Sequence, residues 1–216
     1  MDLNKNNLNK IEIWLAFLLV LLISMIILGG ATRLTDSGLS ITKWELFKGL
    51  LPPLNEKDWN KYFSLYKEIP QFKLINFDIS LEEFKTIFYW EYYHRILGRL
   101  IGLVLIIPLI IFSVKKIIPN NIKSNLYLVL ILVLFQGLIG WYMVMSGLTE
   151  NTSVSHFRLS LHLIVAFVIF TLILWSFVNL KKKIYINFFS IRKENYLIQF
   201  FILLLFFQIV FGAFVS

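Results

Sequence analysis

Apolar residues fall into five long runs, at about 13–30, 88–112, 126–145, 156–178 and 196–215, separated by polar connections. Each run approaches the ~20 residues that a helix needs to cross a ~30 Å hydrocarbon layer. The pattern predicts an all-α, polytopic membrane protein, with a four-helix bundle from the first four runs and a fifth transmembrane helix after it. One connection, 32–84, is long, and its aromatics Trp44, Trp59, Tyr62, Phe63 and Tyr66 are too many for a solvated linker. Pro52-Pro53 breaks the chain there, and Asn55 predicts the cap of a short helix ending before Pro70. Ser80-Leu81-Glu82-Glu83 reads as a capping box, so a helix starts there and continues into the second run. The loop is read as a folded lid with short helices resting on the bilayer surface. Substrate gating is the sharper alternative.

Composition agrees with the pattern. Of 216 residues, 58% are hydrophobic, against 45–50% in soluble domains. The net charge of +8 does not point to nucleic acid, because the Lys and Arg residues mostly flank the apolar runs, where they set orientation. Lys115, Lys116 and Lys123 follow the second run. Lys181, Lys182, Lys183, Arg192 and Lys193 follow the fourth, against Glu194. The connection after the third holds Glu150, with Arg158 at its end. By the positive-inside rule the Lys-rich loops lie inside, with the N-terminus and its Lys5 and Lys10, and the loop 32–84 lies outside. Inside means cytoplasmic for a bacterial inner membrane and matrix for a mitochondrial one. The first run is longer than a signal-peptide core and no A-x-A site follows it, so a cleavable signal is not expected. A weak repeat links odd runs. Phe135-Gln136-Gly137-Leu138-Ile139-Gly140 resembles Phe207-Gln208-Ile209-Val210-Phe211-Gly212. Ser37-Gly38-Leu39 resembles Ser146-Gly147-Leu148, as in a duplicated bundle.

Candidate chemistry is confined to few residues. There is no cysteine, which excludes disulfides, thiolate-held iron–sulfur clusters and covalent c-type heme. The histidines are His94, His156 and His162. The uncharged part of the second run, Leu100–Val114, is about fifteen residues or ~22 Å of helix, too short to span. The helix must extend back through Arg99, Arg95, His94 and Glu91. The fourth run draws His162 in likewise. Both helices enter from outside, and each histidine lies about six residues, ~9–10 Å, below its entrance. Matched depth on two parallel helices suits two axial imidazoles on one heme. The competing reading is two interfacial or helix-bonding histidines. His156 is assigned to the outer rim. Arg95, Arg99 and Arg158 lie toward the outer side, either reaching for lipid phosphates or pairing with heme propionates. Arg33 is a simple cap of the first run. Glu91, three residues before His94, is either an ion-pair partner of Arg95 or a proton-handling group beside the iron.

At these residues the sequence resembles a known family. The stretch Gly29-Gly30-Ala31-Thr32-Arg33-Leu34-Thr35-Asp36-Ser37-Gly38-Leu39-Ser40 is similar to the first-helix exit of the heme A synthases, in their alphaproteobacterial and mitochondrial branch. So are Gly49-Leu50-Leu51-Pro52-Pro53-Leu54, Trp90-Glu91-Tyr92-Tyr93-His94-Arg95-Ile96-Leu97-Gly98-Arg99, Gly137-Leu138-Ile139-Gly140-Trp141-Tyr142-Met143-Val144 and Val154-Ser155-His156-Phe157-Arg158-Leu159-Ser160-Leu161-His162-Leu163. The resemblance implies oxidation of the C8 methyl of heme O to a formyl group, giving heme A for cytochrome oxidase. It implies eight transmembrane helices in two bundles, each with a histidine pair. His94 and His162 would be the iron ligands of the first bundle, which holds the substrate heme, and a heme b belongs to the second. Glu91 is implicated in the chemistry. Implied partners are heme O, an electron donor, heme O synthase and oxidase assembly factors.

Two departures stand out. The outer-loop cysteine pair of some members is absent. The sequence also stops in its fifth run, so the second bundle is largely missing, and the chain is expected to hold one heme and to be inactive alone. The alternatives to synthesis are a b-type cytochrome passing electrons and a non-enzymatic heme-handling or oxidase-assembly protein. A transporter fits least, because the polar groups gather at one face and not at the midplane.

Overall fold

The computed structural model describes residues 5–44, 48–149, 151–182 and 196–215. Glu150, Lys183, Arg192, Lys193 and Glu194, which enter the charge argument above, lie outside the described residues. The order is α1 (Lys5–Leu34), a 3-10 turn (Lys48–Leu50), α2 (Glu56–Tyr66), α3 (Pro70–Leu74), α4 (Leu81–Val114), α5 (Asn120–Thr149), α6 (His156–Lys182) and α7 (Tyr196–Val215). Among the described residues, four helices, α1, α4, α5 and α6, are long and apolar enough to cross a membrane. The expected fifth span corresponds to α7, which is shorter, with a described apolar stretch of Phe200–Val215. The helices also outrun the apolar runs. α1 continues to Leu34 and α5 begins at Asn120, because a helix need not stop where the hydrocarbon does.

The local signals act as expected. Asn55 caps α2 by accepting from the Asp58 N–H at 2.8 Å. Ser80 and Glu83 form the reciprocal capping box that starts α4. Pro70 opens α3, where its missing N–H has no helical partner to lose. Pro108 lies inside α4 and cannot bond the carbonyl of Val104, four residues back. The indole N–H of Trp14 on α1 takes that carbonyl at 2.7 Å.

The bundle closes in the order α1, α4, α5, α6. α1 packs on α4 and α6, α5 packs on α6, and the α4–α5 contact is the lightest. α4 and α6, the two helices with candidate ligands, are therefore diagonally opposed. α7 lies against α6, outside the ring.

Two apolar cores are stacked along the bundle. The inner one joins Leu15 and Leu18 of α1, Leu105 and Leu109 of α4, Leu126 and Val129 of α5, and Leu172 and Ile173 of α6. The outer one is the lid, where Trp59, Phe63 and Tyr66 of α2 pack on Phe84 and Phe88 of α4 together with Leu39 and Val154. The lid is thus folded, as its aromatics predict. It is tied to the end of α1: Gln71 donates to the Asp36 carbonyl at 2.9 Å and accepts from the buried Tyr66 hydroxyl at 3.0 Å. Leu39, from the first Ser-Gly-Leu, packs against Gly147 of the second, where a Cβ would come within 2.7 Å of it. The gating reading of the lid has no bearing on this packing.

Candidate functional site

Between the two cores lies a layer with a different packing. No side chain is fully buried between Leu22 and Thr32 of α1, Glu91 and Ile101 of α4, Val129 and Ile139 of α5, or Ser160 and Ile169 of α6. Each interval is about nine residues, ~13 Å of helix. His94 and His162 both fall in it, on the diagonal pair of helices.

Each imidazole lies over a glycine of a neighbouring helix. A Cβ on Gly29 of α1 would stand 3.5 Å from Nε2 of His94, an ordinary contact. A Cβ on Gly140 of α5 would stand 3.2 Å from Cε1 and 3.6 Å from Nδ1 of His162, which is tight. The absent side chains make room for the two rings. Nδ1 of His162 is buried and has no hydrogen-bond partner among the described residues. Such an atom in a low-dielectric interior is costly unless something bonds it or the other nitrogen has a task.

No group of three or more His, Cys, Asp or Glu side chains able to hold a bare metal ion occurs among the described residues. Two imidazoles are a donor set for an iron that brings its own equatorial ligands, as in heme. The residues present fit that group: two imidazoles on opposed helices, a glycine beside each, and a lightly packed layer between two solid cores.

Glu91 stands at the outer boundary of the layer. It is 4% exposed, and both its oxygens accept. Oε2 receives the Ser40 hydroxyl at 2.7 Å and the Ile41 N–H at 2.8 Å. Oε1 receives the Arg95 guanidinium through Nε at 3.0 Å and again through Nη2. The ion-pair reading of this residue is therefore present in the structure, and it is joined to a clamp on the chain leaving α1. Arg95 also donates to the Ile41 carbonyl at 3.0 Å, and Arg99 to the Gly49 carbonyl at 3.0 Å. Tyr92 holds the Leu50 carbonyl at 2.7 Å. One face of α4 thus straps down Ile41, Gly49 and Leu50 of the loop that follows α1. Both arginines, expected to meet propionates, engage loop carbonyls, and they line a small crevice with Lys43, Tyr62 and Tyr92.

Arg158 is carried on α6 one turn before His162, but its guanidinium turns to α5, donating to the Tyr142 carbonyl at 2.8 Å and lying 3.8 Å from the Tyr142 ring centroid. His156 starts α6 and stays out of the layer. Its Nδ1 is 3.1 Å from the Ala213 carbonyl, and its ring stacks on Phe214, so it pins α7. Sequence reasoning misses Ser40, Gly29 and Gln136 as site residues. Gln136 donates to the His162 carbonyl at 2.9 Å. Its only signal is an amide in the middle of an apolar run, visible there as part of a repeat.

Comparison with known proteins bears on the chain as a whole. The family model described as COX15-CtaA, cytochrome oxidase assembly protein, matches residues 12–216. A protein named heme A synthase from Pelagibacter ubique is 49% identical over 217 residues, covering 100% of this chain and 64% of its own length. The heme A synthase of Nitrosospira multiformis is 47% identical over 170 residues, 79% of this chain and 48% of its own. That of Wolbachia pipientis is 44% identical over 210 residues, 95% of this chain and 62% of its own. The chain thus spans between about half and just under two thirds of these relatives. No solved structure matches it.

Proposed function

The chain belongs to the COX15-CtaA family of cytochrome oxidase assembly proteins, and from that premise we propose that it serves heme A synthesis as the bundle that holds the substrate heme. The reaction is oxidation of the C8 methyl of heme O to a formyl group. The observation that carries the reading is the lightly packed layer between two cores, with His94 and His162 on its diagonal and a glycine beside each ring.

In this reading the two imidazoles hold the substrate iron and set the height and tilt of the macrocycle. The inner core excludes water from below, and the lid does so from above. Arg95 and Arg99, at the outer margin of the layer, place positive charge where propionates would emerge. Their donors are shared with the loop carbonyls of Ile41 and Gly49. Arg158 contributes charge on the opposite helix. Glu91 is the proton acceptor. Its lone pairs are all engaged, so a donor must leave before a proton can arrive. The Ser40 hydroxyl lies 3.3 Å from the Ile87 carbonyl as well as on Oε2, and a turn toward Ile87 frees the carboxylate. The basic residues Lys115 and Lys116 between α4 and α5, Lys123 in the first turn of α5, and Lys181 and Lys182 at the end of α6 face the inside, the lid faces outside, and α7 is the fifth span. An electron donor, heme O synthase and oxidase assembly factors are the partners, and the heme b of the family belongs to its second bundle.

The test uses the full chain in detergent, loaded with heme. Six-coordinate low-spin iron is expected, lost on His94→Ala and on His162→Ala separately. Full heme occupancy with both replaced sinks the reading. Hemes extracted from membranes containing the chain, a second bundle of the family and a source of heme O then separate synthesis from electron transfer. An oxidised C8 substituent that disappears on Glu91→Ala supports synthesis, and unaltered heme supports a b-type cytochrome.

A further inference from the structure

We propose that Gln136 positions His162, with its Oε1 accepting the Nδ1–H of that ring when Nε2 is bound to iron. The proposal rests on the heme-ligation reading above.

Gln136 and Gly140 stand one turn apart on one face of α5. Gly140 meets the Nδ1–Cε1 edge of His162, at 3.6 and 3.2 Å from where its Cβ would be. A macrocycle has no room between that edge and the α5 backbone. Nε2, the other ring nitrogen, is then the one left to ligate.

Gln136 reaches the same residue from one turn away, its amide nitrogen donating to the His162 carbonyl at 2.9 Å. That bond fixes the sense of the amide. A carbonyl can only accept, so the nitrogen must face it and Oε1 must turn away. Oε1 is then buried without a partner, and so is Nδ1 of His162. Two packed helices therefore bring together an unpartnered buried acceptor and an unpartnered buried ring nitrogen beside one backbone carbonyl.

Ligation completes the pair. Iron on Nε2 leaves the proton on Nδ1, which becomes an obligatory donor. A hydrogen bond from Nδ1 to Oε1, reached by rotation of the ring or the amide, would satisfy both atoms. The bond fixes the plane of the ring and raises its basicity, which favours ferric iron. An amide amid apolar residues in a membrane helix is otherwise expensive.

The experiment measures heme affinity, midpoint potential and the electron-paramagnetic-resonance signature of the ferric form in the full chain loaded with hemin. Gln136→Leu removes the acceptor at similar volume. The expected result is at least roughly tenfold weaker heme binding, as for other outer-shell partners of metal-bound histidines. A higher potential and a changed ligand-field signature should accompany it. Gln136→Glu, a stronger acceptor, should shift the potential the opposite way, and it decides the matter if the Leu variant does not fold. Unchanged potential and signature in Gln136→Glu, or in a folded Gln136→Leu, overturn the proposal. His162→Ala keeps the two readings apart. If it leaves the wild-type spectrum intact, the ligation reading has failed. If it abolishes that spectrum while the Gln136 variants are silent, only the role of Gln136 has failed.

Discussion

At the scale of single residues, the candidate site is defined as much by missing atoms as by its two imidazoles. Gly29→Ala introduces an ordinary 3.5 Å contact with His94, whereas Gly140→Ala forces His162 to yield at 3.2 Å. Both changes add helix propensity worth about 1 kcal/mol. We therefore expect both variants to fold, Gly29→Ala to bind heme nearly as wild type, and Gly140→Ala to lose roughly tenfold in affinity. Heme titration of the two side by side checks this. Equal affinities would show that His162 does not need the alcove. Glu91 gives a second prediction at this scale. Glu91→Gln leaves the buried Arg95 guanidinium without its counter-charge and removes an acceptor from Ser40 and Ile41. Breaking one side of a buried pair costs about 3–5 kcal/mol. The chain at Ser40 and Ile41 should loosen, seen as faster protease cleavage in the lid together with a lower melting temperature. A variant with unchanged melting and cleavage would free Glu91 from any clamping role.

At the scale of elements, helix starts and interruptions follow rules readable in sequence, while their repair does not. The caps of α2 and α4 are local hydrogen bonds within four residues, and Asn55, Ser80 and Glu83 announce them. Pro108 announces a broken bond on α4 equally well. That the orphaned Val104 carbonyl is met by Trp14, 90 positions away in sequence, depends on how α1 lies against α4. Trp14→Phe keeps an aromatic ring beside Phe112 and removes the indole N–H together with the five-membered ring. Leaving the Val104 carbonyl unmet should add about 1–3 kcal/mol to the cost of the lost volume. In the background of Pro108→Ala, which restores the helical N–H, the same change should cost less by that amount. Equal costs in both backgrounds, measured as a double-mutant cycle in detergent, would refute the compensation.

At the scale of the whole molecule, the claims are topology and a layered interior. The chain has no cysteine, so single introduced thiols report sidedness without background. Ser64→Cys in the exposed part of α2 and Ser124→Cys in the exposed first turns of α5 should label from opposite faces with a membrane-impermeant maleimide. Labelling of both from one face would contradict the arrangement. The lid belongs to this scale too. Its aromatic core includes Phe84 and Phe88 of α4, so movement of the lid is coupled to the helix that carries His94 and Glu91.

By itself the sequence determined the helices, their caps, the folded character of the lid and the small set of residues with chemistry. These depend on local periodicity, on side chains bonding nearby backbone, and on the high cost of polar groups in hydrocarbon. The pairing of His94 with His162 was open to estimate because rise per residue converts position into depth. Depth carries no information about which side of a helix meets which neighbour. The tertiary structure alone set the diagonal placement of α4 and α6, the glycines under the two rings, the turn of Arg158 toward α5, the Ser40 and Ile41 donors on Glu91, and the amide of Gln136 beside His162. Each of those contacts joins residues far apart in the chain, and its geometry is fixed only when the helices have chosen their partners and rotations.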